Sequence, residues 1–244
     1  MAVAIDLGFP IIRSDKLNIT IYAQAAKMLG KTQDPDTGDE EPLGIGLIPF
    51  GVSSWFGPLH FIFEYRSIPE GRFEFSYWNR LYEIERVSFL RNNSNQVVLR
   101  TKESQLGKFG DQNGYFSRVS LDVGAFFEAN MAYNNMVGSL WSNDDKKFIL
   151  EKNQTFLTSL KLTKSISRIQ SASAFYQQRN VPNPFKFKYT ESTIIGCRLG
   201  ISMGQGLVLN YIFRRTFRDY NANGRIDGNA ETIDITSIET SFTF

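Results

Sequence analysis

The chain has 244 residues, of which 21% are charged, with a formal net charge of only +2, so composition does not indicate a dedicated nucleic-acid binder. Aromatic residues make up 14% of the chain, which argues against a disordered polypeptide. A single cysteine, Cys197, and a single histidine, His60, exclude an internal disulfide framework and a histidine-rich metal site. The sequence has no run of about 20 apolar residues and no signal-peptide pattern in residues 1–30, so neither a membrane helix nor a leader is predicted.

Alternation of apolar and polar residues, with a period of two, recurs along the whole chain. In "LNITIYAQA", residues 17–25, apolar side chains take the odd positions. The stretches "LHFIFEY" at 59–65 and "QGLVLNYIFRRTF" at 205–217 alternate in the same way. This period is typical of β-strands, and no helix of normal length is predicted. We therefore predict an all-β chain of about a dozen strands, at residues 2–12, 16–28, 44–55, 58–67, 72–89, 96–104, 114–125, 127–137, 154–163, 166–178, 187–203, 205–218 and 230–244.

Short connections alternate along the chain with long polar ones. A transmembrane β-barrel has such an asymmetry, with short turns on one side of the membrane and long loops on the other. Predicted strands of ten or more residues also suit a tilted crossing of a bilayer. The short connections lie at 13–16, 56–58, 124–127, 163–165 and 203–205, and the long ones at 30–43, 138–153, 179–186 and 219–230.

Alternation by itself is shared by membrane barrels and soluble β-sandwiches. In a sandwich the apolar face packs inward, whereas in a membrane barrel it meets lipid and the polar face lines the lumen. Two features favour the membrane. Aromatic residues such as Trp55, Tyr65 and Phe213 lie near predicted strand ends, and the polar phase carries both signs of charge. A soluble β-sandwich or lipocalin-like binding protein remains an alternative.

The chain ends on "SIETSFTF", in which Ile238, Thr240, Phe242 and Phe244 share one face. This ending resembles the C-terminal strand of porin-like β-barrel proteins from the outer membrane of Gram-negative bacteria. The resemblance implies that these four residues are the signal read by the outer-membrane assembly machinery. It further implies location in the outer membrane of a Gram-negative bacterium.

The predicted fold is therefore a single outer-membrane barrel domain over residues 1–244. An even number of antiparallel strands is expected, about 12 and at most 14, with short periplasmic turns and long extracellular loops. The domain is either the whole protein or the C-terminal domain of a longer precursor.

Charged and polar side chains of the polar phase are the candidates for lining a lumen. Lumenal charge tunes which solutes enter a pore. Alternatively, such side chains pair with one another and fill a closed interior, as in small barrels. The predicted lining residues are Glu64, Glu74, Arg100, Arg118, Asp122, Glu128, Lys161, Arg198, Asn210 and Arg214.

The predicted function is a passive pore for small polar solutes. Its partners would be the lipid bilayer and the assembly machinery, with no nucleic acid. One alternative is a non-catalytic membrane anchor that binds a surface or periplasmic protein. No catalytic residues are predicted, although His60, the side chain suited to proton transfer near neutral pH, leaves an outer-membrane hydrolase as a further alternative.

The stretch "RDYNANGRIDGNAE", residues 218–231, resembles an EF-hand or dockerin-type calcium loop. The resemblance implies side-chain ligands at Asp219, Asn221 and Asn223, a carbonyl ligand from Arg225 and a further ligand at Asp227. Ala230 stands where that pattern has a bidentate acid, and the flanks predict strands rather than helices. Calcium is the only cofactor predicted, and a polar hairpin loop without metal is the alternative.

Overall fold

The computed structural model describes residues 1–78, 82, 86–91, 97–124, 126–143, 145–179, 183, 186, 188–221 and 225–242. The chain is all-β and is dominated by one antiparallel sheet of 11 strands. The described strands are β1 (Ala2–Arg13), β2 (Leu17–Met28), β3 (Lys31–Gln33), β4 (Glu40–Pro42), β5 (Ile45–Phe56), β6 (Leu59–Ile68), β7 (Val87–Arg91), β8 (Val97–Thr101), β9 (Phe109–Val123), β10 (Phe127–Ser142), β11 (Lys147–Leu162), β12 (Ile169–Arg179), β13 (Thr193–Gly204), β14 (Leu207–Phe217) and β15 (Thr232–Phe242).

The large sheet runs in chain order, as β1-β2-β5-β6-β9-β10-β11-β12-β13-β14-β15. Two small hairpins, β3-β4 and β7-β8, stand outside it. The described residues also form two short 3-10 helices, Glu103–Lys108 and Asn229–Glu231. None of the helices in the described part of the chain is long and apolar enough to cross a membrane. The all-β, antiparallel prediction is confirmed, and the described large sheet has one strand fewer than the 12 expected.

The prediction of a strand over 72–89 is wrong for residues 72–78, which form turns outside the sheet. The alternation in "RFEFSYWNR" does not reflect a pleated strand, because Arg72 and Ser76 have φ values of 54° and 57°. Such positive φ angles are incompatible with an extended backbone. The predicted strand at 96–104 is shorter, since β8 covers Val97–Thr101 and pairs only with β7.

The prediction of a long loop at 138–153 is also wrong. Strands β10 and β11 extend through most of this stretch and leave a short connection at 143–146. Its polar residues belong to strand ends instead. Three predicted long connections are present, at 29–44, 180–192 and 218–231, and they alternate with short ones as expected. The connection 69–108 between β6 and β9 was not predicted, because strands were expected there.

The chain divides into two compact units. Unit 1 comprises Met1–Ser53, Ile62–Phe116 and Asn134–Asn153, and unit 2 comprises Ser54–Phe61, Ser117–Tyr133 and Gln154–Phe244. The two units are described separately below.

Each strand of unit 1 has an apolar and a polar face. Opposite residues of an antiparallel pair point to the same side. Ile5 therefore shares the apolar face with Ala25, and Gly8 shares the polar face with Tyr22. On β6 the apolar face is exposed, with Tyr65 at 45%, whereas the polar-face residues Glu64 and Arg66 are 7% and 6% exposed.

Unit 2 shows the same division along β11–β15. Leu199, Tyr211 and Ile238 are opposite one another in register and form one row of the apolar face. Arg198 lies opposite Ser173 and belongs to the polar face. Tyr211 and Ile238 are 39% and 68% exposed, so the apolar face is uncovered here too.

Candidate functional site

Polar side chains of unit 1 form a buried hydrogen-bonded network around Glu64 and Arg66. Tyr22 Oη donates to Glu64 Oε1 at 2.7 Å, and Arg66 Nε donates to Glu64 Oε2 at 2.7 Å. Arg66 Nη1 also donates to Asn134 Oδ1 at 3.0 Å. The Arg66 guanidinium lies 3.9 Å from the centre of the Phe116 ring. Glu64 thus has its charge balanced within the unit, as a buried carboxylate requires.

The connection between β6 and β9, residues 69–108, covers the polar face of unit 1. It contributes side chains that are almost inaccessible, with Leu106 0% and Phe73 5% exposed. Together with Leu43, which precedes β5, and with residues of β2, β6 and β10, they form the hydrophobic cluster Met28, Leu43, Ile68, Phe73, Tyr77, Leu106 and Met136. We call the connection 69–108 the insert, and its described apolar side chains pack on the polar face of unit 1.

A buried ion pair stabilises the insert. Lys102 Nζ lies 3.1 Å from Glu74 Oε2, and the two side chains are 6% and 8% exposed. Lys102 Nζ also donates to the Tyr77 carbonyl oxygen at 2.8 Å and lies 4.7 Å from the centre of the Tyr77 ring. The pair connects the beginning and the end of the insert, so removal of either charge would leave the other buried.

Two glycines allow the insert to approach the sheet closely. A Cβ atom on Gly46 would lie 2.2 Å from the Phe73 ring, and one on Gly44 would lie 1.8 Å from the backbone oxygen of Gly71. These distances are far below van der Waals contact. Gly44 therefore permits a backbone-to-backbone approach that no other residue type would allow.

Loops at the edge of unit 1 carry charges whose pKa values are shifted. Asp34 Oδ1 accepts the backbone N–H groups of Asp36 and Thr37 at 2.8 and 2.9 Å, and these bonds lower the pKa of Asp34. The hydrogen bond and charge of Glu40, 2.9 Å away, raise the pKa of Lys31. Burial, followed by the charge of Arg100, lowers the pKa of Lys108.

The polar face of unit 2 carries exposed charged side chains, whereas the polar face of unit 1 is covered. Lys161, Ser173 and Arg198 lie opposite one another on β11, β12 and β13. Lys161 and Arg198 are exposed. Arg198 Nη2 donates to Asn210 Oδ1 at 3.4 Å, and Asn210 Nδ2 donates to Ser241 Oγ at 3.1 Å. Polar and basic groups thus remain accessible along this face.

A small cavity of about 290 Å³ lies in unit 2. The cavity lies at those ends of β5, β6, β9 and β10 that are joined by short connections. Trp55 stacks on His60 with ring centres 3.8 Å apart. Asn130 Nδ2 donates to Glu128 Oε1 at 2.8 Å. Three predicted lining residues, Arg118, Asp122 and Glu128, border this cavity.

The predicted lining residues therefore occupy three environments. Glu64 and Glu74 are buried in unit 1, while Arg100 lies on β8, outside the large sheet. Arg118, Asp122 and Glu128 surround the cavity of unit 2. The remaining four lie on the polar face of β11–β14 and are Lys161, Arg198, Asn210 and Arg214.

Sequence reasoning missed Arg66, the cation that balances Glu64, although Arg66 shares the period-two phase of Glu64 in "FEYRSI". Lys102 was recognised as a polar-phase cation, but its pairing with Glu74 was not predicted. The two residues are 28 positions apart in an irregular segment, which a local pattern does not reach.

Of the proposed calcium ligands, Asn223 lies outside the described residues. The backbone N–H of Asp219 donates to Glu191 Oε1 at 3.0 Å, and that of Asp227 donates to Glu231 Oε2 at 2.6 Å. Glu231 is 3% exposed. In the described part of the chain, no three His, Cys, Asp or Glu residues form a metal-binding group. Asn221 and Arg225 are both exposed.

Residues of the predicted C-terminal signal lie on the apolar face of β15. Ile238, Thr240 and Phe242 stand opposite Tyr211, Leu209 and Leu207. Phe242 is 64% exposed. Phe244 lies outside the described residues.

Comparison with known proteins gives no relative for this chain. No protein-family model, no curated protein and no solved structure matches it.

Proposed function

We propose that the protein is an outer-membrane β-barrel that forms a pore for small polar solutes. The observation that supports this most strongly is the exposure of the apolar strand faces in both units, together with the burial of polar-face residues in unit 1. On β1, Ile5, Leu7 and Phe9 are 68%, 71% and 69% exposed. In unit 2, Ile238 and Phe242 are 68% and 64% exposed.

The energetics of these faces support contact with lipid. A large apolar side chain that stays in water forgoes about 1.5–3 kcal/mol relative to burial. Contiguous exposed apolar surface is rare on soluble monomers and marks interaction with a membrane or a protein. A hydrocarbon environment would remove the cost for every strand of the sheet at once, which a local protein contact would not.

Closure of the sheet belongs to this proposal. The described pairings join successive strands from β1 to β15 and include none between those two edges. An unpaired edge in hydrocarbon would cost several kcal/mol for each unsatisfied group. We expect the amides of β1 and β15 that do not bond to β2 and β14 to be protected from hydrogen exchange in lipid. Exchange of these outward-pointing amides at the rate of an unfolded peptide would contradict closure.

Two measurements test the function itself. The protein should require detergent or lipid to stay monodisperse, and a monodisperse sample in plain buffer would favour the soluble alternatives. In planar bilayers the full chain should give stable stepwise currents. A silent bilayer, with insertion verified by protease protection, would rule out the pore.

A membrane anchor or surface-assembly partner is the second candidate, and the insert favours it. Because described side chains of the insert, among them Phe73, Tyr77 and Leu106, pack on the polar face of unit 1, that unit leaves little room for solute. Detergent dependence combined with electrical silence would identify this function, whereas detergent dependence with currents would identify the pore.

A further inference from the structure

Basic residues are concentrated on the polar face of β11–β15 in unit 2. Lys161 on β11 and Arg198 on β13 lie in one register row, both opposite Ser173. Arg214 on β14 lies opposite Gly196, one polar-face row away from Arg198. Glu239, opposite Asn210 on β15, is the acidic residue of this face within the paired, described residues. Arg179 on β12, opposite Thr155, shares this face as well. The paired face therefore carries four cations against one carboxylate.

The spacing of these groups makes their fields overlap. Neighbouring strands lie about 4.8 Å apart, and Lys161 and Arg198 are two strands apart in one row. Their backbones are therefore about 10 Å from each other. Arg198 and Arg214 are diagonal neighbours on adjacent strands, about 7–8 Å apart. Glu239 is two strands and one row from Arg198, at about 12 Å. The electrostatic screening length is about 10 Å at 0.1 M salt. An ion near this face therefore experiences the summed potential of neighbouring cations.

On the apolar face of the same strands, the arginine next to Arg214 is paired with a carboxylate. Arg215, next to Arg214 but pointing to the other face, lies opposite Asp234. Its Nε and Nη2 atoms donate to the two carboxylate oxygens of Asp234, both at 2.7 Å. Arg215 of β14 is therefore paired with a carboxylate on the apolar face, while Arg214 lies on the polar face.

We infer that this face makes the path through the protein selective for small inorganic or organic anions, with Lys161, Arg198 and Arg214 as the residues that determine selectivity. The inference rests on the proposed pore function. Accessibility supports it, because Lys161 and Arg198 are exposed. Asn210, 5% exposed, accepts a hydrogen bond from Arg198 and so orients its guanidinium.

The test measures reversal potentials of the full chain in uncharged phosphatidylcholine bilayers under a KCl gradient. Chloride should permeate more readily than potassium. Each of Lys161→Gln, Arg198→Gln and Arg214→Gln should lower the chloride-to-potassium permeability ratio about fourfold to sixteenfold. One charge about 5 Å from an ion in water changes the Boltzmann weight of each ion about twofold to fourfold, in opposite directions for chloride and potassium. The preference should weaken between 0.1 and 1 M KCl, because the screening length falls to about 3 Å.

Arg215→Gln is the matched control, since it removes the same charge one residue away on the opposite face. It should leave the permeability ratio unchanged. A circular dichroism spectrum in detergent, unchanged from that of the parent, establishes that each variant is folded.

The outcomes separate the two proposals. A silent bilayer for the parent protein overturns the pore. Stable currents without chloride preference, or an Arg215→Gln shift as large as that of Arg214→Gln, overturn the assignment of selectivity and leave the pore in place.

Discussion

Units 1 and 2 share one pattern of alternation but treat their polar faces differently. In unit 1 the insert covers the face, and charges such as Glu64 are paired at 2.7 Å and 7% exposed. In unit 2 Lys161 and Arg198 lie on the same kind of face and remain exposed. The difference originates in one connection, because 40 residues, 69–108, separate β6 from β9. The same strand chemistry therefore supports a packed interior or an accessible surface.

This contrast assigns different tasks to the two units. Buried ion pairs and tight glycine contacts make unit 1 sensitive to substitution, since a lost partner or an added methyl group has nowhere to relax. Substitutions on the exposed face of unit 2 should change the free energy of unfolding little. They should instead change which ions pass. Substitutions matched between the units test this division.

The largest effect is expected from the two ion pairs. Lys102→Met leaves Glu74 buried without its cation and should lower the free energy of unfolding by about 3–5 kcal/mol. Arg215→Gln breaks a pair in unit 2 whose side chains are 42% and 43% exposed, and should cost far less because solvent screens the two charges. Urea unfolding in detergent micelles, followed by tryptophan fluorescence, measures both.

The double variant Lys102→Met/Glu74→Gln is the control for the buried pair. It should recover most of the lost stability, because no unpaired charge remains in the interior. Equal losses for Lys102→Met and Arg215→Gln would contradict the distinction between a packed and an accessible unit.

The next largest loss of stability is expected from replacing a closely packed glycine by alanine. Gly44→Ala would place a methyl group 1.8 Å from the Gly71 backbone oxygen, and should cost about 1–3 kcal/mol or more. Gly200→Ala in unit 2 meets the Ser171 side-chain oxygen at 2.4 Å, which rotation of an exposed serine relieves. Its cost should stay below about 1 kcal/mol. The same unfolding assay compares them, and a larger loss for Gly200→Ala would show that unit 2 is the tighter one.

Local alternation predicted the part of the fold that depends only on neighbouring residues. In "GLVLNYIFRRTF" it identified strand β14 and the face of Tyr211 and Asn210, because a pleated strand separates neighbours by side. The same rule failed for 72–78, where Phe73 and Tyr77 alternate in sequence but are placed by turns at Arg72 and Ser76. Nothing local in the sequence indicates a positive φ at an arginine.

Candidate site residues follow the same division. Lys161, Arg198 and Arg214 could be assigned to one face because register and period determine it. The pairing of Glu74 with Lys102 could not be predicted, because it depends on how a 40-residue connection folds back on the sheet. Long connections are determined by tertiary packing, which a period-two pattern does not encode.

A smaller effect is expected from calcium at the 218–231 connection of unit 2. The ligands proposed there include the neutral Asn221 and Asn223, and Ala230 replaces a bidentate acid, so a dissociation constant of about 1 mM or weaker is expected. At 10 mM calcium, such binding would stabilise the protein by about 1 kcal/mol. Hydrogen exchange of residues 219–231, compared between calcium and magnesium, provides the measurement. Asp219→Asn should weaken the response, and unchanged exchange at 10 mM would remove the site.

The smallest effect concerns pH at the edge of unit 1. Backbone hydrogen bonds from Asp36 and Thr37 lower the pKa of Asp34 below its usual 3.8, so its charged form stabilises the fold above that pH. This contribution is lost as pH falls through the lowered pKa. Because Asp34 is largely solvated, it should amount to a few tenths of a kcal/mol. Asp34→Asn keeps an acceptor oxygen without the charge, so the parent should be slightly more stable at pH 7 and equal to the variant near pH 2. A stability difference that is the same at both pH values would show that the charge of Asp34 plays no part, and that the loop of unit 1 is ordered by the insert alone.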